Sequence, residues 1–323
     1  MKKILAVFLL FSLNLSLVGC RRAAKPVDAW PQAPITLLIA GLDEAAENTD
    51  VLCLVSINTS AEYIAVMQIP RDTYFRADGS DKINALYASA RYRGASEKEA
   101  LSALGSAVSD AFGVTLDGAA AMKASALRAV VDSLGGVDVY FPSPVTIEGK
   151  EYAAGEHHLS GAEAEAFVRY RESYLMGDLG RVDAQKLFFH ALLQRVRQSL
   201  RITDLIRMLF SMREDVITDL SLTRALGIGR LVHQSLSSLS AAFFTLPGEA
   251  VFENGHWSYI VNRPSAVTLL SEYFSPHTDF DREKRLLDTA RLSHTNIYND
   301  KNFSYRVYTE ENLSSMKIQT KKE

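Results

Sequence analysis

Three short apolar runs open the body of the chain: ITLLIAG at 35–41, VLCLVSI at 51–57 and YIAVMQI at 63–69. Each has the length of a strand, and the connections between them carry turn residues. Short connections favour antiparallel neighbours, so the three runs predict a meander. Runs that are apolar on both faces also predict a sheet covered on both sides. Helical signals follow. Ser96-Glu97-Lys98-Glu99 is a capping box ahead of an apolar-periodic stretch to Phe112, and Gly113 stops it. A helix over 123–134 ends at Gly135-Gly136, and Val137–Phe141 reads as a strand. Ser160-Gly161-Ala162-Glu163 is a second capping box, opening a helix to about Val168. A longer helix is expected from Gly180 to about Gln198, with further helices over 202–213, 222–236 and 264–274. Late strands are expected at 241–246 and 257–261. From Pro276 onward the chain turns polar and reads as a flexible or satellite tail over 276–323. The body is one α/β domain of about 35–275.

Composition narrows the class. The 323 residues are 47% apolar and 23% charged, which supports a sizeable core and excludes a wholly disordered chain. A net charge of −3 supplies no global field for nucleic acid. Two cysteines exclude a disulfide scaffold and a Cys-rich zinc site. Cys53 lies inside an apolar run and is expected to be a buried, inert thiol. Residues 1–20 start with Lys2 and Lys3 and continue in an apolar stretch shorter than a spanning helix requires. That segment ends in Leu17-Val18-Gly19-Cys20, which resembles a bacterial lipobox, with Cys20 as the lipidated residue. An uncleaved signal anchor is the alternative. Both tether an outward-facing body to the membrane, with 21–34 as a proline-containing linker.

Candidate chemistry gathers at one sheet edge. In an up–down–up meander, Asp43 follows the top of the first strand, Asp50 precedes the second and Arg71 follows the third. Two carboxylates facing across a loop repel unless a cation lies between them. Magnesium, held by one or two carboxylates and substrate phosphate oxygens, meets that need; two solvated loop aspartates are the plain alternative. Arg169 and Arg171 would share one face if the preceding helix has ended. Asp178, Arg181 and Gln185 are spaced by three and four, so they share one face of a helix start, where anions are favoured. Arg71, Arg169, Arg171 and Arg181 suit a multiply charged phosphate ligand, because guanidinium forks bind phosphate oxygens in pairs. A surface ion pair is the alternative for any one of them.

Collinear motifs carry a family resemblance. They are Gly41-Leu42-Asp43, Asn48-Thr49-Asp50, Ile69-Pro70-Arg71-Asp72-Thr73-Tyr74, Lys82-Ile83-Asn84-Ala85-Leu86-Tyr87, Val131 to Val137, Leu159-Ser160-Gly161, Arg169-Tyr170-Arg171, Gly177-Asp178 and Gly180-Arg181. Together they resemble the LytR-CpsA-Psr family of extracytoplasmic, membrane-attached proteins. The resemblance implies a three-layer α-β-α sandwich around a mixed central sheet. It also implies a Mg²⁺-dependent phosphotransferase that moves a glycopolymer from a polyprenyl-pyrophosphate carrier to peptidoglycan and releases polyprenyl phosphate. Asp43 and Asp50 then match metal-binding positions. Arg71, Arg169, Arg171 and Arg181 match pyrophosphate-binding positions, and Gln185 matches a neighbouring polar contact. Asp178 and Asp72 are the two candidate catalytic carboxylates beside Arg71, and the residues do not choose between them. A non-catalytic polyprenyl-phosphate-binding regulator and a pyrophosphatase remain as alternatives. Asn48 stands where the family usually has arginine, and Asp183-Ala184 replaces a usually arginine-rich segment.

Overall fold

In the computed structural model, residues 34–320 are described except 44, 46, 78, 79, 200–211, 213, 254 and 275–294. Strands β1 (Ile35–Leu42), β2 (Thr49–Asn58) and β3 (Tyr63–Gln68) form the expected antiparallel meander. They are the centre of a seven-stranded sheet. The other members are β6 (Gly118–Met122), β11 (Val216–Thr218), β12 (Ser240–Thr245) and β15 (Val307–Thr309), in the order β11-β6-β1-β2-β3-β12-β15. β6 joins β1 and β12 joins β3 in parallel, while the outermost pairings are antiparallel, so the sheet is mixed. Small hairpins add β4 (Tyr74–Ala77) with β5 (Ser80–Lys82), β8 (Val145–Ile147) with β9 (Lys150–Tyr152), and β13 (Gly248–Glu253) with β14 (His256–Val261). β7 (Val137–Phe141) pairs with β10 (Gly155–Leu159).

The helices are α1 (Ala85–Tyr92), α2 (Glu97–Phe112), α3 (Ala124–Ser133), α4 (Gly161–Arg169), α5 (Asp178–Ser199), α6 (Leu222–Ser235), α7 (Arg263–Tyr273) and α8 (Thr295–Asn299). Both capping boxes are present, Ser96 with Glu99 and Ser160 with Glu163, so the starts of α2 and α4 are fixed by local chemistry. Strand alternation then divides the core. Leu52, Leu54, Ala242 and Phe244 pack with α1, α2 and α7 on one face. Ala241 and Phe243 pack with α4 and α5 on the other, which gives the three-layer sandwich. Cys53 is buried and free, and burial pushes its thiol pKa up to about 12, so it is inert.

Residues 295–320 do not form the polar tail that composition suggests. β15 closes one edge of the central sheet, and Leu313, Met316 and Ile318 enter the α5 side of the core. Three spaced apolar side chains among polar neighbours give too weak a periodic signal to be read from sequence. Glu310 fastens the segment. It accepts from Arg197 at 2.6 Å, Gln194 at 2.8 Å and the Ala241 backbone N–H at 2.9 Å. The expected helix over 202–213 falls almost wholly outside the described residues, as do Cys20 and the whole N-terminal segment. No helix among the described residues is long and apolar enough to cross a membrane.

Burial works against the Glu310 charge, but Arg197, the Ala241 N–H and Gln194 outweigh it and hold the carboxyl below its ordinary value of 4.5. A depressed carboxyl contributes stability above pH 4.5 and loses it as pH falls through the lower folded value. Glu310→Gln should therefore lower stability by about 2 kcal/mol at pH 7, charge-assisted hydrogen bonds being worth about 1.5–3 kcal/mol. Urea titrations across pH check this: the gap between the two proteins should close in acid.

Candidate functional site

The site is built where β2 starts, β3 ends and α5 begins. Val51 pairs with Gly41 and Thr49 with Leu42, so Asp50 is the extra residue of a bulge between them. A bulge bends the strand and re-aims its unpaired residue, which turns Asp50 out of the ladder. Asp43 follows β1 immediately, and its N–H donates to the Asn48 carbonyl at 2.9 Å, closing the loop. Beyond β3, Ile69 N–H still donates to Leu52 at 2.8 Å before Thr73 closes a turn onto Pro70. Arg71 is the first residue inside that turn. Asn84 stitches the turn to β2: its N–H donates to the Arg71 carbonyl and its own carbonyl accepts from Thr49.

The head of α5 is held by two glycines. Gly177 has φ of +53°, a left-handed conformation that costs a side chain energy. A Cβ on Gly180 would lie 2.5 Å from the Tyr174 Cβ, so only glycine lets α5 approach that loop. Asp178 in the first turn suits the positive end of the helix.

Four charges then alternate. Arg71 Nη1 meets Asp50 Oδ1 at 2.8 Å, and Arg71 Nε lies 3.3 Å from Asp178 Oδ1. Arg181 Nη2 lies 2.7 Å from the same Asp178 oxygen, and Arg181 Nη1 lies 3.8 Å from Asp50 Oδ2. Arg181 Nη2 also donates to the Asp50 carbonyl at 3.2 Å. The Arg181 side chain is only 3% exposed, against 20% for Arg71. Burial works against the Arg71 charge, yet Asp178, Asp50 and Asp72 hold its pKa above the ordinary arginine value. Arg181 goes the other way. Burial lowers its pKa, Arg71 and Arg171 add like-charge repulsion, and Asp178 and Asp50 oppose the shift without overcoming it. The Nε atoms of both arginines are buried and make no hydrogen bond among the described residues. Two buried donors without a hydrogen-bond partner suit an anion with several oxygens.

The remaining candidates divide. Arg171 is exposed and close enough to depress Arg181. Arg169 is the last residue of α4, not part of an extended run, and bonds Glu165 at 2.8 Å one turn back. Only Tyr170 between the two arginines is extended, because α4 continues one residue further than its apolar pattern indicates. Gln185 is buried. Its amide donates to the Val168 carbonyl at 2.8 Å and its oxygen accepts from Gln68 at 3.0 Å, so it braces α5 against β3 and α4. Asp72 pairs with Lys82 at 2.7 Å. Lys82 is a partner that sequence spacing alone did not single out.

Asp43 accepts from the Glu47 N–H at 2.8 Å and from the Asn48 side chain at 3.0 Å. Asn48, in place of the expected arginine, thus orients a carboxylate. No group of three or more His, Cys, Asp or Glu among the described residues could hold a metal ion alone. Asp43 bonds within its own loop and Asp50 pairs with Arg71 and Arg181, so a magnesium ion at these two carboxylates would need substrate phosphate oxygens among its ligands.

Comparisons with known proteins place the chain in a family and a fold. A sequence model of the LytR_cpsA_psr family matches residues 21–275. The polyisoprenyl-teichoic acid–peptidoglycan teichoic acid transferase TagU of Bacillus anthracis is 29% identical over 194 residues, 58% of this chain and 61% of that protein. The chain thus spans about three-fifths of the length of that curated relative. Among solved structures, B. subtilis TagV is similar with a TM-score of 0.61 at 22% identity, covering 77% of this chain and all of that one. TagT bound to LIIa-WTA gives 0.60 at 23% identity, covering 79% of this chain and 93% of that one. At these identities the structures establish the shared fold.

Removing one member of the charge quartet should be costly. Arg181→Met should destabilise by roughly 3 kcal/mol, the low end for half a buried pair because the carboxylates are about one-fifth exposed. Asp178→Asn should relieve part of that loss in the double variant. Chemical denaturation of both singles and the double tests the coupling; strictly additive losses would show that Arg181 and Asp178 do not act together.

Proposed function

This chain belongs to the LytR-CpsA-Psr family, and from that premise we propose that it transfers a glycopolymer from a polyprenyl-pyrophosphate carrier to peptidoglycan. The single observation that carries the reading is the pair of buried, unbonded guanidinium nitrogens of Arg71 and Arg181. They sit between the two carboxylates Asp50 and Asp178 at the head of a helix. Such a pocket binds and stabilises a charged phosphoryl group by position and charge.

Arg71, Arg181 and the nearby Arg171 hold the pyrophosphate oxygens. Magnesium between Asp43, Asp50 and the substrate phosphates would neutralise charge and polarise the phosphorus. A peptidoglycan hydroxyl forms the new bond to the phosphorus nearest the glycan, and the bridging P–O bond breaks to release polyprenyl phosphate. The hydroxyl proton passes to a carboxylate. Asp178, ion-paired with both arginines, and Asp72, paired with Lys82, are the two carboxylates next to the clamp that could take it. The relatives' names, a cell-wall transferase and a wall teichoic acid complex, support an extracytoplasmic site of action. A lipid anchor at Cys20 completes the proposal.

Release of polyprenyl phosphate from a lipid-linked glycan, with and without acceptor, tests the function. Acceptor-dependent release is expected. Equal release without acceptor would make the protein a pyrophosphatase, and binding without release would make it a regulator. Asp43→Asn or Asp50→Asn should abolish magnesium-dependent turnover while the fold survives, read by activity and circular dichroism. Arg171→Lys should weaken binding of a polyprenyl-pyrophosphate analogue by about tenfold, since an ammonium cannot replace a bidentate fork. Unchanged affinity in a calorimetric titration would leave Arg171 outside the clamp.

A further inference from the structure

The three arginines of the clamp are not held alike. Arg71 and Arg181 are fixed by carboxylates. Arg171 is exposed, and its side chain makes no hydrogen bond or ion pair among the described residues. A long side chain without partners is aimed by its backbone, so whatever holds residues 171–177 decides where its charge stands.

That loop turns about Tyr174. The Tyr174 N–H donates to the Arg171 carbonyl at 3.2 Å, and the Tyr174 carbonyl accepts from the Gly177 N–H at 3.1 Å. Distant residues tie the loop down. Ser173 Oγ donates to the Thr146 carbonyl at 2.6 Å, and the Leu175 N–H donates to the Gln319 carbonyl at 3.0 Å. Thr320 pairs with Tyr174 in an antiparallel bridge, and the Ile318 carbonyl accepts from Ser143 Oγ at 2.8 Å.

These C-terminal residues lie beyond the family-matched range 21–275. They end a strap that runs the length of α5. Glu310 fixes it near the end of that helix, at Gln194 and Arg197, and Thr320 meets the loop that starts it. Between them Leu313, Met316 and Ile318 are buried with Leu187, Phe188 and Ala191. Tyr174 and Thr320 are each 2% exposed, and Tyr174 rests against Gly180 in the first turn of α5. Their hydroxyls make no hydrogen bond among the described residues, so the pair is seated by shape. We propose that Tyr174, seated by Thr320 at the end of the strap, is a positioning residue that sets where Arg171 stands in the phosphate clamp. This rests on the clamp reading of the site and deepens it by naming what aims its exposed arginine.

Titration of the full-length protein with inorganic pyrophosphate and magnesium tests this, with hydrogen exchange of the Leu175 amide read alongside. The buried seat cannot keep a long charged side chain, so Thr320→Lys should release the strap end, although its added positive charge would by itself favour an anion. Affinity should nonetheless fall about tenfold, the worth of one charge-assisted hydrogen bond. The Leu175 amide should exchange faster while the amides of β1–β3 stay protected. Thr320→Gly empties the seat without adding charge and should give both changes in smaller measure. Thr320→Val keeps the shape and should match the parent. In an Arg171→Met background, Thr320→Lys should cost little further affinity, because the arm that Tyr174 aims is gone. Binding by Thr320→Lys and Thr320→Gly as tight as the parent's, a Leu175 amide protected in both, or an equal loss with and without Arg171 would each overturn the proposal while leaving the clamp standing. A parent that does not bind pyrophosphate would sink the clamp reading, and the proposal with it.

Discussion

The alternation of Asp50, Arg71, Asp178 and Arg181 is the constraint on which the site depends. The four come from three structural devices: a bulge in β2, a turn after β3, and the first turn of α5, which supplies both Asp178 and Arg181. Arg181 is almost wholly removed from water, and a buried guanidinium is tolerable only with charges arranged around it. The strand ends and the helix head must therefore meet at one place. Gly180 permits the close approach, and Gln185 fixes α5 by bonding to β3 and to α4. Structural bracing and anion chemistry thus occupy the same helix, one turn apart.

Much of this arrangement is legible in the sequence. The three apolar runs specify the meander because their lengths and short connections leave few alternatives, and the meander alone brings Asp43, Asp50 and Arg71 to one edge. Capping boxes locate two helix starts because their chemistry is local. Partners, however, are set by tertiary packing. Spacing places Gln185 on the site face of its helix, but Gln68 and the Val168 carbonyl consume its amide. Arg169 looks equivalent to Arg171, yet a single extra helical residue turns it back toward Glu165. The closing strand β15 is only three residues long, and its stability comes from Glu310 and from Leu313, Met316 and Ile318, whose irregular spacing forms no local pattern.

The quartet also explains why two arginines can be buried side by side without a ligand. Asp50 and Asp178 neutralise Arg71 and Arg181 pairwise, so no net charge is buried. The neutralisation is incomplete in geometry. Both Nε donors remain unbonded, and Arg181 sits 3.8 Å from its second carboxylate. Under the transferase proposal, these two donors are the ones a phosphate oxygen would bond. Burial opposes both charges; the carboxylates outweigh it at Arg71 and do not at Arg181, so the two arginines are not equivalent. Arg181 is the deeper of the two, 3% exposed against 20% for Arg71.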